Sequence, residues 1–341
     1  MKFIKFTKKG IYCIPGKFYL DPWLPVDHAI ISHGHADHSR SGNKHYFCHD
    51  DSKAILQHRL GVDISIESMG YNQTRIINNV SVSFYPAGHV IGSVQIRLEY
   101  KGEVVVFTGD YKTQPDFITN PFESVKCHTF ITESTFGLPI YNWKTELQLQ
   151  EQLQNWVLQN QANNKTSVFL GYSLGKAQRI MSLIDGIDKV YVHTAINNLN
   201  NAISSSGIAL PETTLLKQDF DKKDIQNKII IMPPGLLGSR LLKRVPNAAV
   251  AICSGWMQIR GNRRWKAVDA GFAVSDHADW NGLLSAVKAS EAEKVYVTHG
   301  SQATFSKYLN EIGIAAEELI TDYGDEQLAS EEKKDNSTAN V

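Results

Sequence analysis

Apolar positions along this chain gather into short runs, many of them β-branched, each closed by turn-forming or polar residues. The runs are His28–Ser32 (HAIIS), Val82–Tyr85, Val94–Tyr100, Glu103–Thr108 (EVVVFT), Thr129–Thr132, Ser167–Gly171, Lys189–His193, Lys228–Met232, Ala248–Cys253 and Lys294–Thr298 (KVYVT). Runs of this length and composition predict strands. Longer mixed stretches predict helices at Thr145–Gln161, Gly175–Ile187, Asn281–Ala289 and Thr304–Glu311, with Gly175 at a helix start and Ser173 as its N-cap. The first third is strand-rich, residues 140–262 alternate strand and helix, and the last part returns to one strand with flanking helices. The expected class is therefore α/β: a layered core formed by residues 1–139 and 263–326, interrupted by a compact α/β insert at 140–262. The polar tail 327–341 is expected to be disordered.

Composition narrows the function without naming it. Of 341 residues, 42% are apolar and 21% charged, which excludes fibrous or disordered classes. Thirty-five Lys and Arg balance thirty-five Asp and Glu, so any nucleic-acid surface must be a local patch rather than a global field. Four scattered cysteines (Cys13, Cys48, Cys127, Cys253) with no CxxC do not read as a disulfide framework and fit a reducing cytoplasm. Met1–Gly10 carries four lysines with no apolar run behind them, so neither a signal peptide nor a membrane association is expected.

The informative oddity is the placement of the histidines. Ile31-Ser32-His33-Gly34-His35-Ala36-Asp37-His38 puts three imidazoles and a carboxylate directly behind a strand, with small spacers that let a tight loop turn several of them inward. Neutral imidazole and carboxylate suit zinc, manganese or iron, and the absence of nearby cysteine argues against a thiolate zinc site. Further donors repeat the setting: Gly88-His89, Gly109-Asp110, Glu133 and Thr298-His299-Gly300 each follow the carboxyl end of an apolar run. In layered α/β folds that edge is where sites form.

His33-x-His35-x-Asp37-His38, then His89, Asp110 and a late histidine, together resemble the metallo-β-lactamase superfamily of binuclear hydrolases. Glu133 in TESTFG, His277 in Ser275-Asp276-His277-Ala278-Asp279 and His299 in THG look like motifs A, B and C of its beta-CASP nuclease branch. Gly171-Tyr172-Ser173-Leu174-Gly175-Lys176-Ala177-Gln178 resembles the insert's helix-opening motif. The N-terminal Gly10–Gly16 segment, Asp21-Pro22-Trp23 and the length look most like the bacterial ligase-associated DNA exonucleases. The resemblance implies a metallo-β-lactamase αββα sandwich with a beta-CASP domain inserted. By residue-wise carry-over, His33, His35 and His89 would take one metal and Asp37, His38 and His299 a second, with Asp110 bridging. Two ions, zinc or manganese, ~3.5–4 Å apart would share a hydroxide and clamp a phosphodiester. His277 would be the general acid, with Glu133 fixing its tautomer and raising its pKa; Asp37, His277 and Glu133 are thus the candidates for the chemistry.

Two segments are candidates for holding the substrate. Leu236–Val268 contains Arg240, Lys243, Arg244, Arg260, Arg263, Arg264 and Lys266, no acidic residue, and the interleaved Trp256 and Trp265. Cations with aromatics are how single strands are held, although solvated surface charges around core tryptophans would read the same way. Ser173 and Lys176 before a helix offer a hydroxyl, an ammonium and backbone N–H groups to one phosphate. The expectation is a metal-dependent nuclease, a single-strand DNA exonuclease running 5′ to 3′ in DNA repair, with a DNA ligase or helicase as functional partner. The alternative is an RNA-processing ribonuclease. His299 matches the RNA-processing members, whereas the DNA cross-link repair members commonly carry valine at motif C. A small-molecule hydrolase, or an inactive scaffold that binds nucleic acid, are the readings outside this class.

Overall fold

The computed structural model describes residues 3–259 and 268–321. Arg260, Arg263 and Arg264, and the tail expected at 327–341, lie outside the described residues. The chain forms two compact units. The first comprises Met1–Pro115, Thr119–Asn142 and His277–Glu326; the second comprises Asp116–Ile118, Trp143–Asp276 and Gln327–Val341.

The first unit holds two sheets. One runs in chain order through Ile4–Thr7, Gly10–Cys13, Phe18–Leu20, His28–Ile30, His45–His49 and Ile66–Met69, antiparallel at its start and parallel from Phe18–Leu20 onward. The other is ordered Ala316–Glu318, Lys294–Gly300, Thr129–Ser134, Glu103–Phe107, Val94–Tyr100, Val80–Pro86, Thr74–Ile77. Alternation along each strand gives each sheet an inner face. Ile11, Phe18, Leu20, Ile30 and Phe47 of the first sheet meet Val82, Phe84, Ile96, Val105 and Ile131 of the second in one buried cluster. At about 1.5–3 kcal/mol for each large apolar side chain removed from water, this shared layer is the main force joining the sheets. The helix Asp50–Leu60 covers the outer face of the first sheet through Leu56 against Tyr46 and Cys48. The helices Trp280–Ala289 and Gln302–Glu311 cover the second through Leu283, Val287, Phe305 and Leu309. The layers are therefore helix, sheet, sheet, helix.

The second unit is built on a sheet whose pairs are all parallel, ordered Thr214–Leu215, Val190–Val192, Ile229–Met232, Thr166–Leu170, Ala248–Cys253, Ala270–Phe272. A parallel sheet needs cover on both faces, which explains continuous apolar runs such as Ile229–Met232. The helices Glu146–Ala162, Lys176–Leu183 and Thr194–Ser205 pack one face through Leu153, Ile180 and Ile196. Leu216, Ile225, Leu242 and Met257 cover the other. All four cysteines are buried and unpaired.

Among the features that differ from the sequence reading, three are local to the insert and the first helix. The insert continues past 262, because Ala270–Phe272 adds a parallel strand to Ala248–Cys253. The helix at Lys176 is entered through Gly175, φ +88°, a left-handed conformation that favours glycine; Gln178 Oε1 accepts from its N–H at 2.7 Å, in place of a cap from Ser173. The helix Asp50–Leu60 was not expected, since its polar sequence DDSKAILQHRL buries only Ser52, Ile55 and Leu56.

Candidate metal centre and acid pair

Every predicted metal donor lies in the first unit, just past or at the carboxyl end of a strand. The loop after His28–Ile30 carries His33, His35, Asp37 and His38; His89 follows Val80–Pro86, Asp110 follows Glu103–Phe107, and His299 lies within Lys294–Gly300. Gly109 at φ +54° lets the chain turn so closely that a Cβ there would lie 2.5 Å from Ser32 Oγ. The glycine beside the acidic donor is thus a steric requirement of the turn.

The donors converge. His33, His35, His89 and Asp110 form one group and His38, Asp110 and His299 another, the candidate ligand atoms of each within 4.8 Å of one another. Asp110 belongs to both. Its Oδ2 is 3.6 Å from His33 Nε2, 3.4 Å from His38 Nε2 and 3.7 Å from His89 Nε2, and its Oδ1 is 2.9 Å from His299 Nε2. Asp37 stands at the more open margin, its Oδ2 3.7 Å from His38 Nε2.

A buried carboxylate that sequence reasoning did not single out supports this loop. Asp21, inaccessible to solvent, accepts from the Ser32 N–H at 2.7 Å and from the Ser32 hydroxyl, and faces His38 Nδ1 at 2.8 Å. Ser32 Oγ in turn lies 2.9 Å from His33 Nδ1. With Nδ1 engaged on both rings, the Nε2 atoms of His33 and His38 are left to face Asp110. The signal was available only as Asp21-Pro22-Trp23, where Asp21 takes φ +38°.

The electrostatics are those of imidazoles and carboxylates packed together away from water. Burial pulls the His38 imidazole down, but Asp110, Asp37 and Asp21 outweigh it and hold its pKa up at about 10. His33 is pushed well below its ordinary value by burial and by His38 and His89. Burial raises Asp110, yet His38 and His299 drive it well below the carboxylate range. Asp21 is raised by burial. The fit to a divalent metal rests on the donor set and on His33 Nε2, which is buried with no hydrogen-bond partner among the described residues. Such an atom is costly in a folded protein unless a metal takes its lone pair.

Glu133 and His277 form a second element beside the donors. His277 Nδ1 is 2.9 Å from both Glu133 oxygens, and a carboxylate can only accept, so the tautomer carries its proton on Nδ1. Glu133 also accepts from Tyr111 N at 2.8 Å and from Thr135 N at 3.3 Å. Tyr111 follows Asp110 directly, and its carbonyl accepts from Ala278 N at 2.7 Å. One residue thus fixes Glu133 and the backbone after His277 while joined to the shared carboxylate; it too went unnoticed in the sequence. The His277 ring lies 4.6 Å from that of His89, centroid to centroid. Asp110, Glu133 and His277 also form a possible ligand group.

The predicted substrate residues fall in the second unit. Lys176 is buried, its Nζ 3.2 Å from Asp276 Oδ2 and 4.7 Å above the Tyr172 ring; Ser173, three residues earlier, is also buried. Arg240 and Lys243 are exposed, Arg244 stacks 4.8 Å over Phe220, and Trp256 packs against the core beside Leu242 and Met257.

No family model matches the chain. Over 317 residues, covering 92% of this chain, it is 29% identical to a probable DNA ligase of Opitutus terrae. It is 32% identical over 124 residues to the endoribonuclease ysh-1 of Neurospora crassa, and 26% identical over 186 residues to an RNase J-like protein of Methanocaldococcus jannaschii. These similarities are consistent with the beta-CASP branch of the metallo-β-lactamase superfamily that the motifs resemble. The chain spans 30%, 14% and 44% of the length of these three relatives. Its fold is similar to that of a protein of unknown function from Enterococcus faecalis, with a TM-score of 0.59, 14% identity, and coverage of 87% of this chain and 80% of that one. Among the described residues, no helix is long and apolar enough to cross a membrane.

Proposed function

We propose that this chain is a metal-dependent phosphodiesterase, a nuclease that degrades single-stranded DNA from its 5′ end in DNA repair. The observation that carries the reading is the convergence of imidazole and carboxylate donors on Asp110 beside a hydrogen-bonded Glu133–His277 pair. The layered first unit is read as a metallo-β-lactamase αββα sandwich, and the parallel-sheet unit as its beta-CASP insert.

His33, His35 and His89, with Asp37, His38 and His299, would hold two divalent ions, zinc foremost, sharing Asp110. Bound ions would supply Lewis-acid polarisation of a phosphodiester. The protein supplies the rest. Glu133 holds the Nδ1 proton of His277 and favours the imidazolium, so Nε2 can deliver a proton to the departing oxygen. Asp21 and Ser32 keep the first-loop histidines from turning away. The exposed Arg240, with Arg260, Arg263 and Arg264, is proposed to follow the phosphate backbone, so binding should weaken as salt rises.

DNA is favoured by the long match to a protein named a probable DNA ligase, and a ligase is the proposed functional partner. RNA is the second reading, carried by His299 at motif C and by the ribonuclease names of two relatives. Matched deoxy- and ribo-oligonucleotides, labelled at one end and blocked in turn at each terminus, separate the two. The proposal expects loss of deoxy strands, stopped by a 5′ block. Cleavage confined to ribo strands would establish the second reading, and cutting of a closed circle would overturn the exonuclease assignment.

A further inference from the structure

The second unit contains a buried charge network that the site described so far does not use. Lys176 and Arg179 lie one turn apart on the helix Lys176–Leu183, both buried. Lys176 Nζ faces Asp276 Oδ2 at 3.2 Å. Arg179 grips Glu146 with Nε at 3.1 Å from both carboxylate oxygens and Nη2 at 2.5 Å from Oε2. Its remaining arm, Nη1, donates to the Ser275 carbonyl and stands 4.0 Å from Asp276 Oδ1.

Two cations and two carboxylates withdrawn from water are a poor way to stabilise a helix, since well-packed apolar residues of similar volume do as well or better. What such a network does provide is a single geometry. A guanidinium forked on one carboxylate has a fixed plane, and a carbonyl held by its third nitrogen cannot rotate without breaking a charged hydrogen bond. The residues held this way are Ser275 and Asp276, and the next residue in the chain is His277.

We propose that Lys176 and Arg179 are positioning residues for His277. They fix the peptide unit that enters it, and so the angle at which its ring meets Glu133. This rests on the assignment of His277 as the acid. It gives the Gly171–Gln178 motif a role different from the phosphate contact its sequence suggested: the ammonium serves Asp276.

The test uses the full-length, metal-loaded protein and single-stranded DNA bearing either a 5′-phosphate or a 5′-hydroxyl. Lys176→Met is expected to lower kcat ten- to a hundredfold, with KM, bound metal and the ratio of rates on 5′-phosphate and 5′-hydroxyl strands unchanged. Lys176→Arg should recover most of the rate, whereas Arg179→Lys, which cannot both fork on Glu146 and hold the Ser275 carbonyl, should lower it. Removing one partner strands the other charge, so the double variant Lys176→Met/Asp276→Leu, which buries no lone charge, is measured beside them. A folded, metal-loaded double variant with lowered kcat supports the proposal, and one with unaltered kcat overturns it. A rise in KM confined to 5′-phosphorylated strands, with kcat kept, would instead make Lys176 a substrate ligand. A readout that needs no substrate distinguishes failure of this idea from failure of the nuclease reading. In protein labelled with ¹⁵N-histidine, the Nδ1–H signal of His277, identified by its loss in His277→Asn, should shift or broaden in the Lys176 variants. An unmoved signal overturns the proposal whether or not the wild type cleaves nucleic acid.

Discussion

The Asp21 carboxylate lies 2.8 Å from Nδ1 of His38, and both groups are sealed from solvent. This pairing decides which face of the imidazole is presented to Asp110. Asp21→Asn keeps the volume but puts an amide where an acceptor is needed. Loss of such an outer partner typically costs about 10–100-fold in metal affinity. Titration against a competing chelator measures it; an unchanged affinity would show that the His38 orientation is fixed without Asp21.

Asp110 is the donor common to both groups. Asp110→Ala is therefore expected to lower bound metal at both, measured by elemental analysis of the purified protein, and to abolish cleavage while leaving the circular dichroism spectrum close to wild type. Removing metal from the wild type with a chelator should lower its melting temperature, because ligands that bind only the folded state stabilise it by mass action. Full activity in the Asp110→Ala protein would sink the shared-donor arrangement.

His277→Ala should reduce turnover by about 10²–10⁴-fold, the usual range for a positioned general acid. Metal content should hold, since His277 is assigned to proton transfer. Glu133→Gln should give a milder form of the same defect, because the amide still fills the site but no longer favours the imidazolium. If His277→Ala loses metal instead, the group Asp110, Glu133 and His277 is a metal site and His277 a ligand.

Stability should also depend on pH through a histidine of the second unit. His193 Nδ1 accepts from Ala195 N at 3.2 Å and caps the helix Thr194–Ser205, and burial lowers its pKa from the ordinary 6.5. The folded state therefore holds this ring neutral while the unfolded chain takes up a proton near pH 6.5. Stability from this group is full above that value and falls as pH drops through it, because a protonated Nδ1 cannot cap. His193→Asn preserves a good N-cap without the titration. Melting temperatures of the wild type and variant should agree near pH 8 and diverge near pH 5, with the wild type lower; parallel curves would refute the cap linkage.

The convergence of the candidate donors was legible because their residue types are concentrated: His33 to His38 fit in a single loop, and the others follow apolar runs that read as strands. The supporting residues were not. Asp21 reaches His38 across 17 positions of sequence, and Arg179 reaches Ser275 across 96, so nothing local marks either as different from a surface charge. Tyr111 acts through its backbone, which leaves no trace in residue type. Strands such as Glu103–Phe107 and Ile229–Met232 announced themselves by β-branched runs, whereas the short buried strands Gly10–Cys13, Phe18–Leu20 and His45–His49 and the margin strands Ile66–Met69 and Thr74–Ile77 were not recognised. The helix Thr194–Ser205, TAINNLNNAISS, was hidden by asparagines that suggest turns.

Among the described residues, the sheet of the second unit ends on one side in Thr214–Leu215 and on the other in Ala270–Phe272, strands of two and three residues. A strand that short offers too few unpaired amides and carbonyls to template another chain. The apolar parallel strands at the centre are the kind that polymerise when exposed, and both flanks deny them a growing edge. Substitutions that lengthen either outer strand would therefore be selected against for a reason unrelated to catalysis: they would turn a closed module into a seed for fibres.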